Sequence, residues 1–328
     1  MNGRHITKRL AAAALTATIV AAASPAFAEF PDKPITMYIG FNPGGAVDTT
    51  ARLLQKNLEA ALGVPVIAVQ KPGGGGTVMA TTLMHQKADG YTIGMGASAA
   101  YALAPLLNTD IQYDMIDDFA HIATVSIPQD ALVVKKDAPW DTYEDLVKDA
   151  KDNGKALSLS SQVSVSRLMA IAIEEKEGIE IEVVPVKGGS AGIQQVLGGH
   201  TDMTWGASGW HAQVEAGEMK PILSLGYERN ADFQDIPTAK ELGIDYAFVD
   251  TFMLSAPKGL PEDVEKKLAD AVKTALSPDL VKELREKMYL SADYRGPQET
   301  DDYLTMQRDE VKPFVDKMMA EGGEKAAE

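Results

Sequence analysis

The chain has 328 residues, 47 acidic against 31 basic side chains, a formal net charge of −16 and no cysteine. That charge argues against nucleic acid or an anionic membrane surface as a partner, and the absent thiols exclude disulfides and thiolate metal sites. The length is more than one typical domain needs and predicts two.

The first 28 residues read as an export signal. Arg4, Lys8 and Arg9 precede an apolar stretch over 10–23, and Ala26-Phe27-Ala28 fits the small-x-small cleavage rule. The apolar stretch is shorter than the ~20 residues needed to span a bilayer. Cleavage would leave a chain starting at Glu29. Losing those three basic residues takes its charge from −16 to −19.

A strand is predicted over 35–41. It runs into Phe41-Asn42-Pro43-Gly44-Gly45-Ala46-Val47-Asp48, and a helix follows. Ala51, Leu54, Leu58, Ala61 and Leu62 mark its buried face, with Asp48 or Thr49 as N-cap and Gly63 past its end. A second strand over 64–69 leads into Lys71-Pro72-Gly73-Gly74-Gly75-Gly76 and another helix. A glycine turn at a helix start exposes unpaired N–H groups and the positive end of the helix dipole, which together attract an anion. The first turn also fits a simple tight connection. It lacks the Gly-Lys-Ser/Thr of a phosphate loop and the spaced third glycine of a dinucleotide fold.

Further strands are predicted over 91–95, 120–125, 131–134, 156–160, 181–185, 203–205, 222–225 and 247–254, with helices between them. One helix is capped by Asp141 or Thr142 and buries Tyr143, Leu146, Val147 and Ala150. This alternation predicts an α/β fold with mostly parallel sheets flanked by helices. No Gly/Ser linker divides the chain, so two lobes would be joined by several crossings, near 125–129 and 248–252. Lobe 1 would comprise 29–125 plus 252–328, and lobe 2 126–251. After Pro257 the sequence reads as helices only, with Pro278 opening one behind Ser277 and a last one over 298–319.

Few residues suggest catalysis. His85, His121, His200 and His211 form no metal spacing, and no Gly-x-Ser-x-Gly elbow occurs. The segment Ser160-Ser161-Gln162-Val163-Ser164-Val165-Ser166-Arg167 opens a helix with hydroxyls that can cap it or donate to a carboxylate. Arg167 can grip a carboxylate or pair with a nearby Glu. Trp205, at a strand end, is either core or pocket wall, and Trp210 reads as packing.

Several segments together resemble one family. They are Phe30-Pro31-Asp32-Lys33-Pro34-Ile35, Phe41-x-Pro43-Gly44-Gly45-x-x-Asp48 with Ala51-Arg52, and the turn Lys71–Gly76. Ala88-Asp89-Gly90-Tyr91-Thr92-Ile93, Val184-Pro185-Val186-Lys187-Gly188-Gly189 and Leu197-Gly198-Gly199-His200-x-Asp202 complete the set in order. The chain is similar to the Bug family, the solute-binding proteins of tripartite tricarboxylate transporters. The resemblance implies a two-lobed periplasmic-binding-protein fold (type II-like) and no catalysis or cofactor. It implies a monomer in the periplasm that closes on a small organic anion, a di- or tricarboxylate, and delivers it to membrane transporter subunits. A sensor feeding a two-component receptor would use the same pocket. The resemblance assigns ligand contacts to Phe41, Asn42, Gly45, Ala46 and Asp48 in one loop and to Ser161, Gln162, Ser164 and Ser166 in the other. Ser98 would be a pocket-side hydroxyl, and Trp205 is added as a candidate wall. The second loop departs from the family's Gly-Ser-x-Gly-x-Gly, with Arg167 near the usual His, so a narrower pocket is expected.

Overall fold

A computed structural model describes residues 30–161, 164–186, 189–206 and 209–320. The expected signal peptide over 1–28, Gln162, the side chain of Ser164 and the C-terminal tail from 321 lie outside the described residues.

The first sheet begins with β1 (Ile35–Ile39), whose Ile35, Met37 and Ile39 are fully buried. Helix α1 (Ala46–Leu62) covers it with Val47, Ala51, Leu54, Leu58 and Leu62, an apolar stripe at helical spacing. Gly63 ends α1 at φ 72°, a left-handed conformation that glycine adopts without strain. β2 (Val66–Gln70), α2 (Thr77–Met84), β3 (Thr92–Ala97), two short helices α3 (Ala99–Ala102) and α4 (Ala104–Leu107), and β4 (Phe119–Pro128) follow.

The chain then enters a second sheet. Its elements are β5 (Ala131–Lys135), α5 (Tyr143–Asn153), β6 (Leu157–Ser161), α6 (Ser164–Glu177), β7 (Ile181–Pro185), α7 (Gly189–Leu197), β8 (Met203–Gly206), α8 (Trp210–Glu215) and β9 (Met219–Ser224). Thr142 and Asp145 cap α5 reciprocally, and its buried face is the expected Tyr143, Leu146, Val147 and Ala150. The chain returns to the first sheet with β10 (Phe252–Pro257), α9 (Glu262–Ala275), α10 (Pro278–Met288), β11 (Leu290–Ala292) and α11 (Pro297–Ala320).

The strand orders are β11-β4-β10-β3-β1-β2 and β7-β6-β8-β5-β9. The two-lobed α/β class stands, but the sheets are mixed rather than mostly parallel. β3, β1 and β2 run parallel, as do β7, β6 and β8. β10 and β5 run antiparallel to both their neighbours. Each of these two strands arrives from the other sheet, without the crossover helix that makes neighbours parallel. Two other expectations are corrected. The strand expected over 247–254 starts only at Phe252, so 247–251 is the return crossing. The helical tail also hides β11, an edge strand of three residues paired with β4.

Each sheet has its own apolar core, and α11 ties them together. Its Leu304 packs under the first sheet, while Val311, Val315 and Met318 join the second lobe's core.

Candidate ligand-binding site

The two sheets and their crossings enclose a cleft of about 330 Å³. One wall is Phe41, Asn42, Gly45, Ala46 and Val47 at the start of α1. The facing wall is Ser161, Val165 and Trp205. The crossings contribute Pro128, Asp130, Phe248, Asp250 and Phe252.

The first wall is a backbone device. Gly45, in extended conformation, is the N-cap of α1, so the helix starts earlier than expected from Asp48 or Thr49. The Gly45 N–H donates to the Asn42 carbonyl at 3.2 Å, and Thr49 N–H donates to the Gly45 carbonyl at 2.9 Å. Ala46, Val47 and Asp48 form the first turn, where backbone N–H groups have no acceptor within the helix. Of the expected Gly45 and Ala46, only Ala46 belongs to this first turn, which carries the positive end of the dipole.

Asp48 holds this loop from behind. Its carboxylate accepts the Gly44 N–H at 2.9 Å, the Arg52 Nε–H at 3.1 Å and the Gln70 amide. Burial raises the Asp48 pKa, but hydrogen bonds from Arg52, Gly44 and Gln70 outweigh it and hold the carboxyl below the usual range. The second glycine turn supports the loop rather than lining the cleft. A Cβ on Gly76, at φ +103°, would stand 3.2 Å from both Ala100 and the Phe41 ring.

The rest of the cleft uses side chains. Trp205 is buried in the second lobe's core and also faces the cleft, and its Nε1–H donates to Asp130 Oδ2 at 3.2 Å. Among the described residues, Asp130 Oδ1 has no hydrogen-bond partner. One oxygen of Asp250 accepts the Ala99 N–H at 2.8 Å, at the start of α3. Burial pushes Asp130 up to about 7; the Trp205 hydrogen bond opposes this and the Asp250 charge adds to it. Burial likewise pushes Asp250 up to about 6 against the Ala99 hydrogen bond. No basic side chain lines the cleft among the described residues. Arg52 is engaged by Asp48, and Arg167 pairs with Glu174 at 3.3 Å.

Of the residues expected from sequence, Phe41, Asn42, Gly45, Ala46, Ser161 and Trp205 line the cleft. Asp48 lies beneath its loop. Ser98 is fully buried away from the cleft lining, donating to the Val249 carbonyl and accepting the Thr251 N–H, so it pins the return crossing. Ser166 is also fully buried and outside the cleft lining. Trp210 is core, as expected, with its Nε1–H on the Gln129 carbonyl. Sequence reasoning missed Val47, Pro128, Asp130, Val165, Phe248, Asp250 and Phe252. Acids interrupting apolar runs at two predicted crossings were the available signal for Asp130 and Asp250.

Two α/β lobes joined by crossing strands around a cleft are the architecture of periplasmic solute-binding receptors. The chain belongs to the tripartite tricarboxylate transporter family receptors, whose family model matches residues 50–319. It is 33% identical over 324 residues to the "UPF0065 protein in gbd 5′ region" of Cupriavidus necator, covering 97% of this chain and 98% of that one. It is 27% identical over 262 residues to Protein BugT of Bordetella pertussis, covering 78% and 80% of the two chains. Among solved structures, R. palustris Rpa4515 with adipate shares the fold at a TM-score of 0.73 and 24% identity, over 88% of this chain and 98% of that one.

Proposed function

We propose that the chain captures a small organic carboxylate in the periplasm and delivers it, as a monomer, to the membrane subunits of a tripartite transporter. The ligand would lie between lobe 1 (29–125 plus 252–328) and lobe 2 (126–251). The observation that carries this reading is the start of α1. The first-turn residues Ala46 and Val47, whose N–H groups have no acceptor within the helix, line a cleft between two sheets. Phe41, Asn42 and Ala46 would meet the carboxylate, with Ser161, Trp205, Gln162 and Ser164 on the opposite side. Asp48, Ser98 and Ser166 would position these walls. A relative of the same fold carries adipate, an organic acid, which supports the reading.

The test is a thermal-shift screen of the mature protein against small carboxylates, followed by calorimetry. A ligand at 100 times its Kd stabilises by about 2.7 kcal/mol, which moves Tm by several degrees. Stabilisation by neutral solutes with none by any acid would overturn the proposal.

A further inference from the structure

The cleft contains two carboxylates and, among the described residues, no cation. A second carboxylate on the ligand would meet Asp130 and Asp250 with no basic side chain among the described lining residues to neutralise it. Like charges brought together out of water repel strongly.

Asp130 is the more telling of the two. It is 8% exposed, it lines the cleft, and one of its oxygens is without any hydrogen-bond partner. Buried polar atoms in folded proteins are nearly always partnered, and a buried carboxylate is accommodated when a cation or donor completes it. Its one partner, Trp205, is a neutral donor that leaves the charge uncompensated. Asp250 adds a second carboxylate close enough to be felt by Asp130. The α1 wall offers the opposite chemistry, backbone donors and a positive dipole end. One cleft therefore presents donors for an anion and acceptors for a cation. The aromatic side chains of Phe41, Trp205, Phe248 and Phe252 supply apolar surface.

Resting on the reading that the α1 wall takes a carboxylate, we propose that the ligand is a small amino carboxylate whose protonated nitrogen is received by Asp130 and Asp250. A nitrogen bearing N–H donors suits these acids, because each accepts hydrogen bonds through carboxylate oxygens. This replaces the expected second carboxylate with a cation.

The experiment is a thermal-shift and calorimetry series at pH 7.5 on the purified mature protein. The probes are the standard amino acids and straight-chain ω-amino carboxylates. Each is paired with its des-amino acid, the dicarboxylate of equal length and the matching amine. The expected result is binding of an amino carboxylate about tenfold or more tighter than its des-amino and dicarboxylate partners. Asp130→Asn and Asp250→Asn should each weaken that ligand by about ten- to hundredfold while leaving the des-amino acid within about twofold. The second variant guards against one of them failing to fold. Dicarboxylates binding more tightly than every amino carboxylate would overturn this inference and leave the carboxylate reading intact. Binding of amines alone, without need of a carboxylate, would overturn the carboxylate reading itself. A betaine matching its N–H counterpart would remove the hydrogen-bonding role given to the acids and sink the proposal in this form.

Discussion

The α1 wall and the crossings build the same cleft from opposite materials. The α1 wall works through backbone N–H groups, with its one carboxylate, Asp48, turned behind the loop and engaged by Gly44, Arg52 and Gln70. The crossings put carboxylates of their own on the cleft, Asp130 with an unpartnered oxygen and Asp250 held by one N–H. The contrast carries over to their proton affinities. Asp48 sits below the usual carboxyl range, whereas Asp130 and Asp250 are raised to about 7 and about 6. A carboxylate with its donors assembled is a fixed structural part. One left short of donors keeps an unmet demand for a donor or a cation.

The largest expected effect breaks the backbone side alone. Ala46 is exposed, occupies the first helical position and follows Gly45 at φ −75°, ψ 169°. Proline is well tolerated there, after an extended residue, yet it removes the N–H. Ala46→Pro should therefore weaken a carboxylate ligand by about ten- to hundredfold with little change in Tm. Calorimetry beside a melting curve separates the two effects. Full affinity in a folded variant would take the carboxylate away from the α1 start.

How much of this contrast was legible in the sequence follows from the same division. Backbone sites announce themselves through glycine. Gly44-Gly45 between an apolar strand and a periodic helix marked the turn as an anion site or a tight connection, and the family resemblance named its residues; the cap was misplaced. Capping chemistry likewise narrowed the start of α5 to Asp141 or Thr142, of which Thr142 is the cap, and gave the Ser277–Pro278 start of α10. The crossings carry no such marker. Phe248, Asp250 and Phe252 belong to an apolar run that reads as strand; a crossing was expected near 248–252 because no linker divides the chain, but nothing local marks which of its residues face the cleft. The mixed strand directions were hidden for the same reason. Alternation of strands and helices specifies neighbours joined by a helix, not strands that return across a cleft. Ser98 shows the converse error, since a hydroxyl at a strand end looks like a ligand group and is instead consumed by Val249 and Thr251.

A smaller effect should come from the support behind the α1 wall. Gly76→Ala places a Cβ at φ +103° and against Phe41 and Ala100. The left-handed backbone alone costs about 1–2 kcal/mol, so Tm should fall by a few degrees and ligand affinity with it through the displaced ring. Loss of stability with unchanged affinity would mean that Phe41 is not held in place by this turn.

On the crossing side, Trp205→Phe keeps most of the aromatic bulk and removes the N–H from Asp130 Oδ2. Leaving that oxygen without its donor should cost about 1–3 kcal/mol of stability. It should also raise the Asp130 pKa further, because that hydrogen bond favours the ionised carboxylate. A carboxyl-resolved NMR titration of Asp130 reads the shift directly. A lowered pKa in the variant would contradict the assigned partner.

The last effect is one of pH, and its sign separates the two carboxylate environments. Asp130 has a folded pKa of about 7, above the ~4 of an unfolded carboxyl. Between those values the folded state binds more protons than the unfolded state. The stability this group supplies is thus complete below its unfolded pKa, declines as pH rises through about 7, and is flat beyond. Asp250 acts with the same sign up to about 6. Asp48, with its pKa held below the usual range, acts the other way, losing stability only on acidification below that range. His121, pushed down to about 4 by burial, also opposes the trend, because stability from a neutral buried histidine rises as pH climbs from there to its ordinary value. A single melting profile would mix these terms. Asp130→Asn removes one of them, since an amide does not titrate. The melting temperature of Asp130→Asn relative to the unsubstituted protein, both without ligand, should therefore climb between pH 5 and pH 8. Parallel profiles across that range would mean that Asp130 is already ionised and compensated in the folded protein, and the distinction between a fixed carboxylate behind the loop and a free one on the cleft would collapse.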